Sequence, residues 1–124
     1  MGDTPKMLYI QTSGVESPSR TAAPFFIAST ACAMEMEATI VFTINGGTLL
    51  KKGVAETITI IPGSKKTVRD FMNEALAAGV NFKVCHQSLE QHELTPADLI
   101  EGVDVIGGAT LNDLVLEADG VVTF

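Results

Sequence analysis

Tryptophan is absent from this 124-residue chain, tyrosine occurs once, and cysteine occurs twice. Two cysteines in a chain of this length do not make a disulfide framework. Cys32 and Cys85 also fall in different predicted elements, so both read as free thiols in a reducing compartment. Positive charge is scarce: 8 Lys and Arg stand against 15 Asp and Glu, for a net charge of −7. The only basic pairs are Lys51-Lys52 and Lys65-Lys66, which read as solvated loop charges. Phosphate neutralisation needs a basic face, so the composition argues against nucleic-acid binding. Long apolar runs are missing too. The most apolar stretch, 22–36, contains Pro24 and is too short to span a bilayer comfortably. The opening "MGDTPKMLYI" has no signal-peptide pattern. These absences together predict a cytoplasmic protein with no membrane association.

The chain is nonetheless rich in core-forming residues. Apolar residues make up 46% and charged residues 19%, the profile of a folded domain. One domain over 1–124 is expected, with no repeat and no low-complexity segment. Strand-like and helix-like stretches alternate. Strands are predicted over 6–12, 38–44 and 80–85, in "DVIGG" and in the final "DGVVTF". Helical stretches lie between them. Ser17 and Pro18 offer an N-cap and first-turn proline for an Ala-rich helix running to Met36, with Pro24 either kinking it or starting its regular part. "TLLKKGVAETI" reads as a short helix stopped at Gly53, and 57–66 as either a strand or an extended loop. Thr67-Val-Arg-Asp70 matches a capping box for a helix through Ala78 that ends at Gly79. Ser88-Leu-Glu-Gln91 and Thr110-Leu-Asn-Asp113 read as further helix starts, and Thr95-Pro96 opens a short helix to Ile100. This β-α-β-α order predicts an α/β fold. It is a single domain with a mainly parallel five-stranded sheet flanked by helices on both faces, a flavodoxin-like three-layer sandwich.

In such sheets, ligands and reactive groups gather beyond the carboxyl ends of the strands. "GVNFKVCHQSLEQ" delivers a cysteine there. Alternation points Val80, Phe82 and Val84 to one face, and Asn81, Lys83 and Cys85 to the other. Cys85 thus shares its face with polar neighbours and immediately precedes a helix start. Free N–H groups and the helix dipole favour an anion at such a place, and a thiolate is one. Main-chain N–H groups near Gln87 and Ser88, and the Ser88 hydroxyl, are candidate supports. His86 is a candidate proton shuttle, although neighbours along a strand point apart. From the residues alone two readings of Cys85 stand: a presented nucleophile, or a small buried apolar residue. Cys32, among Ala31, Ala33 and Met34, reads as packed core.

Other constellations carry less. Cys85-His86 with His92 and Glu93 matches no common zinc spacing and lacks a fourth ligand, so no metal is expected. Thr12-Ser13-Gly14, with Ser17 and Ser19, is a hydroxyl-rich loop after the first strand, where an anion, nucleotide or flavin could sit. Only Tyr9 and Phe25 are at hand to sandwich a flavin, so no cofactor is expected. Asn45-Gly46-Gly47 and Gly107-Gly108 are glycine turns at strand ends that allow close backbone approach beside the thiol. The first helix is apolar almost all round, from Ala22 to Met36, which marks it as the candidate face for self-association.

"MLYIQTSG", "ATIVFTINGGTLL", "AALAAGVNFKVCHQSLE" and "DLIEGVDVIGGATLNDLVLEADGVVTF" together resemble the DsrE/DsrF-like (TusD/YchN-like) sulfur-relay family over nearly the whole chain. The most specific part is the "GV-x-F-x-V-C-x-x-S" segment with "GVDVIGGATL" downstream. The resemblance implies that Cys85 carries sulfane sulfur as a persulfide. It also implies assembly as trimers, hexamers or hetero-hexamers, and transfer to TusA-like or rhodanese-type carriers. The competing expectations are a non-catalytic module binding a small anion or nucleotide at 12–19, and a structural subunit with inert cysteines.

Overall fold

The computed structural model describes residues 4–124; Met1–Asp3, part of the segment examined for a signal pattern, lie outside the described residues. β1 (Lys6–Gln11), β2 (Glu37–Phe42), β3 (Asn81–Cys85), β4 (Val103–Ile106) and β5 (Gly120–Thr123) are parallel neighbours in one sheet ordered β4-β3-β2-β1-β5. Between them run α1 (Ala23–Ala33), α2 (Val68–Ala78), α3 (His86–Gln91) and α4 (Gly108–Glu117).

Chirality explains how these helices divide. The first three crossovers each step one strand in the same direction, and right-handedness puts α1, α2 and α3 on one face. The fourth leaves β4 at one edge and returns to β5 at the other, so α4 lies on the opposite face alone. Packing follows this division. Phe25, Ala28, Met72, Ala75 and Leu89 bury against Tyr9, Ile40, Phe42, Phe82 and Val84 in the main core. Phe25, Phe42 and Phe82 form its centre, with ring centroids 5.3 to 5.9 Å apart. On the other face Leu8, Val41, Cys85 and Ile106 pack beneath Leu111, Leu114 and Ala118.

Local chemistry sets the element ends. Pro24 stands in the first turn of α1, and the predicted start at Ser17-Pro18 is instead a separate 3-10 turn, Pro18–Arg20. A proline ring cannot follow four helical residues without striking their carbonyl, so the long helix breaks there. The other end also falls short of the prediction: α1 stops at Ala33. Thr67 caps α2 as predicted. Its hydroxyl accepts from Asp70 N–H, Asp70 accepts from Thr67 N–H at 2.8 Å, and Gly79 ends the helix at φ 102°.

Two other predicted starts are corrected. α3 begins at His86 with Cys85 as N-cap, not at Ser88, because the Ser88 hydroxyl is spent on a different segment. α4 begins at Gly108 with Gly107 as N-cap, not at Thr110. Segment 46–57 forms 3-10 turns, Gly46–Leu50 and Ala55–Thr57, instead of one helix, and 58–66 contains no strand. The turn after Thr95 is likewise 3-10, Pro96–Asp98. No helix of the described residues is long and apolar enough to cross a membrane.

Candidate functional site

Two adjacent strands in this sheet send their following helices to opposite faces: β3 leads to α3 and β4 to α4. Doubly wound sheets open a crevice beyond the carboxyl ends of such a pair. Here the crevice is an open cleft of about 430 Å³. Cys85, at the end of β3, and Ile106, its register partner on β4, form the floor. His86, Gln87 and Glu90 of α3 make one wall, while Gly107, Gly108 and Leu111 of α4 make the other.

Cys85 is a free thiol, 7% exposed, and the residue lines the cleft. The residue is recessed, in the apolar cluster it forms with Leu8, Val41 and Ile106. As N-cap of α3 it makes no side-chain bond to that helix. The imidazole of His86 turns along α3, with Nδ1 3.2 Å from Glu90 Oε1, and both side chains are exposed. Gln87 is exposed on the same wall. Lys83, on the Cys85 face of β3, pairs with Asp104 at 3.2 Å.

Ser88 serves the site differently from its sequence expectation. It is buried, its hydroxyl donates to the Ile44 carbonyl at 2.7 Å, and it accepts from Gly47 N–H at 3.2 Å. The hydroxyl is thereby occupied, and what Ser88 gives Cys85 is a fixed position for α3. His92 Nε2 lies 3.1 Å from the same Ile44 carbonyl. Ile44 itself has φ 55°, an uncommon conformation for a β-branched residue. Sequence reasoning missed this strut. The Asn45-Gly46-Gly47 run signalled it: a Cβ on Gly47 would sit 2.4 Å from Ser88 Oγ.

The loop after β1 is not brought into the cleft. Thr12 donates through N–H and hydroxyl to the Phe124 carbonyl, at 2.8 and 2.6 Å. The buried Gln11 amide donates to Ser13 O at 2.6 Å, and Gly14 N–H donates to Glu16 Oε1 at 2.6 Å. These donors serve the loop itself and Phe124, Val15 N–H donates to Thr48 Oγ1 at 3.1 Å, and the loop already holds a carboxylate of its own. Cys32 packs against the main core on the other side of the sheet. Among the described residues no group of three or more His, Cys, Asp or Glu is arranged to hold a metal ion.

A parallel sheet with one recessed free thiol in its switch-point crevice defines a class of small α/β domains that present a strand-end cysteine. The chain belongs to the DsrE/DsrF-like family, whose model matches residues 5–124. It is similar to the uncharacterized protein MJ0760 of Methanocaldococcus jannaschii, with 28% identity over 105 residues. That match takes in 85% of this chain and 38% of the relative, so the chain spans well under half of that protein. Among solved structures it resembles the YchN protein of E. coli, with a TM-score of 0.78 and 18% identity over 98% of this chain and 100% of the other. It also resembles MTH1491 of Methanobacterium thermoautotrophicum, described as a protein of unknown function, with a TM-score of 0.64 and 17% identity over 98% of this chain and 100% of the other. At such identities these structures speak to the fold, which they share with this chain.

Proposed function

We propose that the chain is a sulfur carrier that holds sulfane sulfur as a persulfide on Cys85 and passes it to a partner thiol. The observation that supports this most is the placement of one free thiol on the floor of an open cleft at the carboxyl edge of the sheet. Membership of a family generally engaged in sulfur relay supplies the chemistry. Loading is a thiol–persulfide exchange. The Cys85 thiolate attacks the outer sulfur of R–S–S⁻, one S–S bond forms as another breaks, and R–S⁻ leaves. Delivery is the same step with a partner thiolate as nucleophile. No net oxidation occurs, so the site needs no metal or redox cofactor for it. His86 and Gln87 line the approach, and Ser88 holds α3 in place.

We further propose that the domain works in the cytoplasm as a homo-oligomer, trimeric or hexameric. Phe26 on α1 and Met34 just past its end, 67% and 61% exposed, are the apolar surface for such contacts. TusA-like or rhodanese-type carriers are the expected partners. The test is intact-mass measurement after incubation with a polysulfide donor. A gain of about 32 Da in the wild type that is absent in Cys85→Ser supports the carrier. An unmodified wild-type protein overturns it.

A further inference from the structure

β5 is an edge strand: among the described residues its one neighbour is β1. Its outer row of N–H and C=O groups faces away from the sheet. Parallel sheets are normally covered on both faces. Here no residue of β5 is buried. Val121, in register with Leu8, lies on the α4 face and is 43% exposed. Val122, in register with Tyr9, lies on the α1 face and is 38% exposed.

Folded proteins guard such edges with charge or proline. β4, at the other edge, carries Asp104. β5 reads Gly-Val-Val-Thr, with no charge and no proline. The flank of α4 beside it is apolar too. Leu111, Leu114 and Ala118 pack toward the sheet, and Glu117 lines a small cavity with Glu37 and Thr39 of β2. Val115 is thereby left on the flank that faces β5, and it is exposed.

We propose that β5 pairs antiparallel with β5 of a second copy of this chain, across a two-fold axis perpendicular to the sheet. Backbone chemistry limits the occupant first: an open strand edge is completed by another strand. Charge then selects the strand. The chain carries a net −7, and pairing β4 with its copy would bring two Asp104 carboxylates together, whereas β5 against its copy opposes no charges. The extent of the apolar surface selects a copy over a peptide. A bound peptide would cover the strand edge and leave Val115 bare. The two-fold keeps both α4 helices on one face, so Val115 meets its counterpart above the paired strands. Pleating restricts the register, because opposed residues share a face. Either Val121 or Val122 therefore stands on the axis, opposite its own counterpart. Two five-stranded sheets become one, and the two thiol-bearing rims point in opposite directions with both clefts open. Such a contact is isologous; a ring of three lacks one, and a hexamer made of two such rings has it. The carrier chemistry is not needed for it.

The test places cysteines at the axis. In a chain carrying Cys32→Ser and Cys85→Ser, Val121→Cys and Val122→Cys are made singly and oxidised with copper phenanthroline. Directly opposed residues of an antiparallel pair have Cα atoms about 4.5–5.5 Å apart, within disulfide reach. Ser19→Cys, exposed on a loop, is the control. One of the two strand variants should form a covalent dimer at least about tenfold faster than the control, because its thiols are held together instead of meeting by collision. Neither doing so overturns the proposal. Native mass spectrometry reads the particle directly. The wild type should contain an even number of chains, and Val121→Asp or Val122→Asp, each folded by circular dichroism, should halve it. A mass halved in neither variant overturns the interface. A three-chain wild type does so too, and so does a monomer, which would leave the edge to a foreign strand. Sulfur loading of the wild type is read separately, so failure of this interface and failure of the carrier are distinguishable.

Discussion

Ser88 and Gly47 lock together across the sheet edge: the Ser88 hydroxyl accepts from Gly47 N–H at 3.2 Å while donating to the Ile44 carbonyl at 2.7 Å. This pair fixes the helix that follows Cys85 to the loop that follows β2. Ser88→Ala leaves the buried Gly47 N–H without its partner, while the Ile44 carbonyl keeps His92 Nε2 nearby, and should cost about 1–3 kcal/mol in urea denaturation. Gly47→Ala drives a methyl into the same hydroxyl. The double variant should therefore be less destabilised than the sum of the single ones, and additive losses would show that the two residues do not share a space.

Cys85→Ser should abolish sulfur loading and lower Tm modestly, since it places a hydroxyl in an apolar cluster, while the fold persists. Cys32→Ser should load as the wild type does. Loading that persists in Cys85→Ser and disappears in Cys32→Ser would move the carrier to the other side of the sheet.

Ile44 holds φ 55°, and the residue is 50% exposed. Left-handed backbone costs a residue with a Cβ about 1–2 kcal/mol, which glycine avoids. Glycine also gains freedom in the unfolded chain. Ile44→Gly is expected to raise the urea midpoint slightly or leave it unchanged. A fall of more than about 1 kcal/mol would mean that the side chain contributes packing which its exposure conceals.

Asp98 accepts from the N–H and hydroxyl of Thr95 at 2.8 and 3.0 Å, and these bonds, the backbone one first, hold its carboxyl below the usual carboxylate range. A lowered folded value means that the unfolded chain binds the proton more tightly. The contribution is present above the ordinary value of 3.8 and is lost as pH falls below it. Thermal unfolding of Asp98→Asn should lose less stability than the wild type between about pH 5 and pH 2.5. Parallel pH curves would remove the carboxylate from the account.

Much of the fold was legible because its signals are local and periodic. The β-branched run of β2, the alternation in β3 and the Thr67–Asp70 box each act within a few residues. The positions of Ser88 and Thr110 misled for a reason that is not local. A hydroxyl near a strand end serves as helix cap only if no other segment claims it, and Ser88 is claimed by Ile44 and Gly47 from 44 and 41 positions away. For α4 the start at Gly108, two residues before Thr110, was already set by the end of β4 at Ile106. The thiol was legible as a strand-end residue. Its recess was not, because Cys85 joins an apolar cluster whose other buried members, Leu8, Val41 and Ile106, each come from another strand. Nor could the uneven division of helices be read without the strand order, which determines that α4 covers the Cys85 face alone.

β1 and β5 run side by side in the same direction, with Phe124 N–H donating to the Ile10 carbonyl at 2.8 Å. A polypeptide fused after Phe124 would therefore leave from the rim that carries the thiol. One fused ahead of Lys6 would leave from the opposite rim, about 20 Å away at the rise of a six-residue strand. Affinity tags, fluorophores and surface anchors meant to leave the cleft open belong at the front of the chain.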